Sequence, residues 1–224
     1  MDALPSAAVA DACVRLELPL RVASLRPLLP GRRLAGPAVP ARHVGSVDVF
    51  FEAVRGAPKG FLLVVDNGGR LDEGCVGDLT ALEARANGSA GMLVWGMHRD
   101  TADLVRMGFP VWSLGAFAAG PVRLDARPAD ALESAHVGTA LARRGDWAYA
   151  DDDGAVFVAG DRRAEVEKLA QQIVATERKQ AHLAEAGTSL GQQLDFAGYL
   201  AARAKEPGLT FRAHLRRKGG AIEE

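Results

Sequence analysis

Two carboxylates and a guanidinium recur at a telling spacing in this chain: Gly77-Asp78-Leu79, then Trp95-Gly96-Met97-His98-Arg99-Asp100 after a further short run. A carboxylate holds a hard divalent cation through oxygen, and an adjacent Arg grips a substrate carboxylate or enolate in its planar fork. That pairing suits chemistry on 2-oxo acids. The same residues have a plainer reading, with Asp78 and Asp100 as helix N-caps and Arg99 as a surface charge paired to one of them.

The elements around the pair form an α/β unit. Phe61-Leu62-Leu63-Val64-Val65 is a continuous apolar run ended by Asp66-Asn67-Gly68-Gly69, the pattern of a buried strand stopped by a turn. From Asp78 to Asn87 the apolar positions Leu79, Leu82 and Ala86 fall at helical spacing, with Gly88 as the C-terminal stop. Asp78 therefore opens a helix, where the amides of Leu79 and Thr80 point outward and favour an anionic group. Gly91-Met92-Leu93-Val94-Trp95 reads as a second buried strand, and a helix is expected to begin near Asp100-Thr101. Both acidic residues then lie beyond strand ends on neighbouring loops, where open α/β sheets bind ligands.

Several separated motifs, in order, carry a family resemblance. Leu62 to Asp66, Gly77-Asp78-Leu79, Gly91 to Gly96, Arg99-Asp100 and Gly108-Phe109-Pro110-Val111-Trp112-Ser113 together resemble the superfamily of 4-hydroxy-4-methyl-2-oxoglutarate aldolase and regulator of ribonuclease activity A. Pro30 to Ala38 looks like that superfamily's early strand and Tyr149 to Val156 like its late one. The resemblance implies a β/β/α swivelling-type domain that assembles as a homotrimer or a dimer of trimers. It also implies a metal-dependent lyase that cleaves small 4-hydroxy-2-oxo dicarboxylic acids to release pyruvate, with oxaloacetate decarboxylation as a related reaction. On the matching positions, Asp100 would hold the metal and Arg99 would contact the oxo acid and steady its enolate. Asp78 would act through a water in proton transfer, and Gly77, Leu79 and Thr80 would present backbone amides to the pyruvyl carboxylate. His98 departs from the small or apolar residue expected before Arg99, and reads either as an added titrating group or as a hydrogen-bonded side chain. The resemblance also admits a non-enzymatic regulator that binds a ribonuclease through its surface, or an enzyme acting on another oxo or hydroxy acid.

The metal route has separate support. An enolate-forming lyase uses either a lysine Schiff base or a Lewis-acid metal. Of Lys59, Lys168, Lys179, Lys205 and Lys218, Lys59 alone lies near the central unit, and it precedes its strand at the far end from the candidate site. Mg2+, with Mn2+ as the alternative, needs only one or two carboxylates and keeps its waters. Cys13 and Cys75 belong to no ligand cluster and the five His are scattered, which argues against zinc. From Arg163 to Ala186 a long helix places Val166, Leu169, Ile173, Glu177, Gln180 and Ala184 on one stripe. In the family, a Glu from this region reaches the metal of an adjacent subunit through water. Glu177 is the matching candidate, with Glu165, Glu167 and Glu185 as alternatives and a buried Arg pair as the structural one.

Composition frames the rest. The 224 residues are 48% hydrophobic, enough for one ordinary core plus a tail. We expect an aldolase/regulator-like domain over residues 1–187 and a helical extension over 188–224. The formal charge of −1 draws the chain to no nucleic acid, and no apolar run is long enough to span a membrane. Two cysteines set no disulfide framework and the N-terminus lacks a secretory pattern, so a cytoplasmic protein is expected. Outside the central unit we expect a helix over Ser6 to Leu16, an irregular crossing from Pro19 to Pro30, and a strand from Leu34 to Val44. A helix over Val47 to Val54 and strands at Val111 to Leu114, Val122 to Leu124 and Ala155 to Val158 complete the pattern. In the extension, Phe211 to Lys218 with Tyr199 and Phe196 reads either as an amphipathic arm packing on a neighbouring subunit or as a basic, aromatic surface for RNA or an acidic partner, ahead of an acidic end at Glu223-Glu224. Asp66-Asn67-Gly68-Gly69 lacks the further glycines of a nucleotide fingerprint.

Overall fold

The computed structural model describes residues 3–218. It divides into two compact units, Met1–Glu167 and Lys168–Glu224. The first opens with α1 (Ser6–Arg15), β1 (Val22–Ala23), β2 (Arg26–Pro27), β3 (Leu34–Arg42) and α2 (Asp48–Val54). It continues through β4 (Leu62–Asp66), β5 (Gly74–Val76), α3 (Asp78–Ala86), β6 (Gly91–Trp95), β7 (Met97–His98), α4 (Thr101–Met107), β8 (Val111–Ser113) and β9 (Gly115–Ala116). Two hairpins follow, β10 (Ser134–Val137) with β11 (Ala140–Arg143) and β12 (Asp146–Asp151) with β13 (Gly154–Ala159). Helix α5 (Arg163–Glu185) leads into α6 (Leu190–Gln193), α7 (Phe196–Lys205) and α8 (Phe211–Lys218).

The main sheet of the described residues runs β1-β13-β12-β3-β4-β6-β8-β2. Its centre, β3-β4-β6-β8, is parallel and its flanks are antiparallel. Because β1 and β2 are edge strands at opposite ends yet only Ser24 and Leu25 separate them, the sheet must curl until its two edges lie side by side. These short strands correct the expected irregular crossing from Pro19 to Pro30.

Strand periodicity explains the layers. Leu63, Val65, Met92 and Val94 face one side and join Phe50, Ala81, Ala84 and Leu104 of α2, α3 and α4 in one core. Leu62, Val64 and Leu93 face the other and meet Ala135, Val137, Ala140 and Ala142 of the β10–β11 hairpin. Both faces are thus covered, which is why the central strands read as unbroken apolar runs. Helix, sheet and hairpin give the β/β/α layering.

Two further expectations need correction. No strand forms at Val122 to Leu124: Val122 and Leu124 are 103% and 76% exposed, and the segment is held instead by isolated bonds such as Gly74 N–H to Ala119 O and Asp125 N–H to Val44 O. The stretch from Tyr149 to Val156 is a hairpin, paired Asp151 to Gly154 across Asp152-Asp153, rather than one strand.

In the C-terminal unit, Phe196, Tyr199, Phe211 and His214 pack ring against ring with centroids 5.0–6.2 Å apart, and Leu209 and Leu215 are buried. The aromatics form a small core of their own. The acidic end at Glu223-Glu224 lies outside the described residues.

Candidate active site

Past the carboxyl ends of the parallel strands the chain forms a second, three-stranded sheet, β5-β7-β9, all parallel. Strand β7 follows β6 after Gly96 and β9 follows β8 after Leu114, so this small sheet caps the strand ends where α/β proteins bind ligands. It also joins the two candidate loops. Arg99 N–H donates to Val76 O at 2.9 Å, which sets Arg99-Asp100 against the Gly77-Asp78 entrance to α3.

At that junction Asp100 Oδ2 accepts a long hydrogen bond from Asp78 N–H, 3.4 Å, and lies 3.5 Å from Arg99 Nε. Gly77 makes the approach possible: a Cβ there would sit 2.2 Å from Asp100 Oδ2. Its φ of −146° is open to any residue, so the requirement is space and not conformation. Asp100 itself holds φ 57° and ψ 38°, a left-handed conformation costly for a residue with a side chain, and makes no side-chain cap bond to α4. Its main-chain oxygen accepts from Asp103 and Leu104, 3.0 Å each, and so caps the helix through the backbone alone. The N-cap reading holds for Asp100 by position alone, with Arg99 paired to it, and fails for Asp78: α3 is entered at Gly77 with no side-chain cap, and Asp78 Oδ1 accepts from the neighbouring Leu79 N–H at 2.7 Å. Of the two amides expected to greet an anion, Leu79's is therefore already held, and Thr80 lines the cleft.

That cleft encloses about 360 Å³ between Ser46, Gly77, Thr80, Arg99, Gly120 and Pro121. A larger cavity of about 610 Å³ lies between Arg33, Pro110 and Asp151 to Asp153 and contains none of the candidate residues. Two of its three carboxylates are already used, Asp152 by Gly31 N–H and Asp151 by Ser6. Lys59, the one lysine of the first unit, packs beside Gly88 at the C-terminal end of α3, the end opposite the junction, so that unit offers no lysine for a Schiff base there. Cys75 is buried and its thiol is pushed up to about 12, by burial first and then by Glu73, so it is neither a ligand nor a nucleophile at neutral pH.

His98 is a hydrogen-bonded side chain: it is buried, with Nδ1 2.8 Å from Ser113 Oγ and Nε2 3.1 Å from Thr101 Oγ1. Glu177 is exposed on α5, in the C-terminal unit; of its stripe Val166 and Ile173 are buried and Leu169 half-buried.

Sequence reasoning missed a buried polar group behind the cleft. Glu73 is 4% exposed and pairs with Arg123 at 2.9 Å. Arg123 also donates to Asn67 Oδ1, 2.9 Å, which accepts from His43 Nδ1 at 2.8 Å. Burial holds the His43 pKa below its ordinary value, the Asn67 bond opposing it. These residues come from three separate segments, His43 after β3, Asn67 and Glu73 on the β4–β5 loop, and Arg123 beyond β9, so no spacing could have joined all four.

The donor set suits a hard cation. Asp100 Oδ2 makes only long contacts, and no hydrogen bond engages its Oδ1 among the described residues. No cluster of three or more His, Cys, Asp or Glu with metal-holding geometry occurs among those residues. A cation here would rest on one or two carboxylates and water, the habit of Mg2+ rather than zinc.

Known proteins share this fold. An uncharacterized protein from Pseudomonas syringae superposes with a TM-score of 0.71 at 26% identity, over 84% of this chain and 92% of that one. RraAS2 of Streptomyces coelicolor, described as an unusual member of the RNase ES inhibitor RraA protein family, gives 0.66 at 23% identity, over 82% and 93%. The α/β class and β/β/α layering are those of these folds. In sequence, a Burkholderia mallei protein named "Putative 4-hydroxy-4-methyl-2-oxoglutarate aldolase" is 36% identical over 69% of this chain and 96% of its own length. The match to an Albidiferax ferrireducens protein of the same name, 35% identical, spans 45% of this chain and 57% of that relative. That to Protein DlpA of Legionella pneumophila, 27% identical, spans 84% of this chain but 31% of DlpA. The family model "RraA-like: Aldolase/RraA" matches residues 6–157, from α1 through the Gly77–Asp100 junction to β13, and the chain belongs to that family.

Proposed function

We propose that the protein is a divalent-metal-dependent lyase that cleaves small 4-hydroxy-2-oxo dicarboxylic acids by a retro-aldol reaction, releasing pyruvate, and that it decarboxylates oxaloacetate at the same site. The observation that carries this reading is the Gly77–Asp100 junction, where a carboxylate with spare oxygen capacity, a guanidinium and a helix entrance meet, beside a cleft lined by Gly77, Thr80 and Arg99.

Asp100 would hold the cation, Mg2+ or Mn2+, and when bound the cation supplies Lewis-acid polarisation of the 2-oxo group. Arg99, with its side chain 46% exposed, is free to fork onto the oxo acid and hold the oxygen on which negative charge grows. The Thr80 amide, joined by that of Leu79 once Asp78 releases it, receives the C1 carboxylate at the positive end of α3. Asp78, its carboxylate freed from Leu79 N–H in that step, orients the water that takes the proton of the 4-hydroxyl. The C3–C4 bond then breaks, its electron pair forms the pyruvate enolate, and a proton returned to C3 gives pyruvate. Loss of carbon dioxide from oxaloacetate leaves the same enolate, so one set of groups serves both reactions. The working form is a homotrimer or dimer of trimers in which Glu177 of one subunit approaches the metal of the next through water.

A coupled assay for pyruvate from oxaloacetate and from 4-hydroxy-4-methyl-2-oxoglutarate tests this. Mg2+-dependent release is expected, abolished by chelator and reduced at least about a thousandfold in Asp100→Ala, roughly 4 kcal/mol of lost stabilisation. Full turnover in that variant rejects the assignment. No release from wild type favours the non-enzymatic regulator, whose support lies in the names of fold relatives such as RraAS2.

A further inference from the structure

The Arg99-Asp100 pair sits in a turn that its own backbone does not close. On one side Arg99 N–H is tied to Val76 O, and on the other Asp100 O is tied to the first amides of α4. Between those anchors Asp100 keeps a left-handed conformation with no side-chain cap to pay for it. The flanking residues supply the closure. His98 and Thr101, immediately before and after the pair, meet side chain to side chain at 3.1 Å, and the other nitrogen of the His98 ring reaches Ser113 at the end of β8.

One assignment of protons satisfies every contact of this group. Ser113 Oγ accepts from Gly115 N–H at 3.1 Å and approaches Gly115 O at 3.2 Å, a contact that uses its single proton. With that assignment His98 Nδ1 donates to Ser113 Oγ and Nε2 receives the Thr101 hydroxyl proton; the other tautomer reverses both bonds and joins the same three side chains. The neutral ring is satisfied at both ends while buried. An apolar residue at position 98 would fill the same space and leave both hydroxyls without this partner.

We propose that His98 is a positioning residue: its ring, strung between Ser113 and Thr101, closes the turn that keeps Asp100 left-handed and its carboxylate at the α3 entrance. It touches neither substrate nor metal and acts through Asp100. The consequence for metal binding rests on the lyase reading above; the closure of the turn does not.

The test separates the two bonds. His98→Val removes both, His98→Asn keeps a donor where Nδ1 stands, and His98→Gln places an acceptor where Nε2 stands. Three readouts apply: amide hydrogen exchange across residues 97–104, Mn2+ affinity, and the division of the kinetic loss between kcat and KM. For His98→Val we expect exchange of the turn amides at least about tenfold faster, Mn2+ binding about tenfold weaker and a fall in kcat with little change in KM. His98→Gln should restore all three to within about threefold, and His98→Asn should resemble Val. Thr101→Val breaks the same bond from its other end and stands in should a position-98 variant not fold. Wild-type exchange in the turn of both His98→Val and Thr101→Val overturns the proposal, as does rescue by Asn in place of Gln. If wild type binds no Mn2+, the metal reading fails while the exchange series still decides the role of His98.

Discussion

At the scale of single residues the site depends on what is missing from Gly77. Its backbone is ordinary, so alanine would be conformationally harmless, yet the added methyl would stand 2.2 Å from Asp100 Oδ2 and drive the carboxylate away from the α3 entrance. Gly77→Ala is therefore expected to lower metal-dependent turnover by at least about a hundredfold. Its thermal midpoint should stay within about two degrees of wild type, because the clash is relieved by moving a partly exposed side chain. A loss of activity matched by a loss of fold would contradict this, as would a fully active variant. That Asp78, Arg99 and Asp100 are neighbours was legible in the chain because Gly, Asp and Arg stood at strand and helix boundaries. Glu73, Asn67, His43 and Arg123 were not: each is an ordinary loop residue until folding buries them together.

The elements were legible in proportion to how much their period was exposed. Strands β4 and β6 showed as apolar runs because both faces are covered, α3 showed by spacing and its glycine stop, and α4 showed by its start near Asp100-Thr101. The β10–β11 hairpin did not, because its inward positions are alanines, Ala135, Ala140 and Ala142, which by propensity speak for helix. Its turn, Gly138-Thr139 with Gly138 at φ 62°, is the signal that could have found it. The buried group behind the cleft ties these elements together and gives them a pH dependence. Asn67, Arg123, Glu73 and the ring of Phe50 surround His43, and burial is the first cause of its lowered pKa, opposed by the Asn67 bond. A base that is harder to protonate when folded takes its proton first in the unfolded chain. Its folded state is thus at full advantage above pH 6.5 and loses ground as the pH falls below that value. The urea midpoint should fall between pH 7 and pH 5, and His43→Gln should make that fall shallower. An unchanged slope in the variant would show that His43 does not carry it.

For the whole molecule, the question is whether one chain contains a complete site. Among the described residues the junction offers Asp100 and Asp78 but no third acidic ligand, while Glu177 stands exposed on α5 in the other unit. If Glu177 completes the site of a neighbouring copy, two inactive variants must repair each other. Asp100→Ala and Glu177→Gln, each deficient alone, would on mixing and reassembly create interfaces that join an intact Asp100 to an intact Glu177. Random assembly of equal amounts places both at about a quarter of the sites, so about a quarter of wild-type activity should return. Were Glu177 to serve the Asp100 of its own chain, no mixed oligomer would hold a whole site, and activity would stay at the level of the separate variants. Sedimentation of the same samples supplies the other half of the argument. A trimer or hexamer whose mass is unchanged by either substitution ties the recovery to shared sites rather than to restored assembly, whereas a monomer of full activity would rule out sharing altogether.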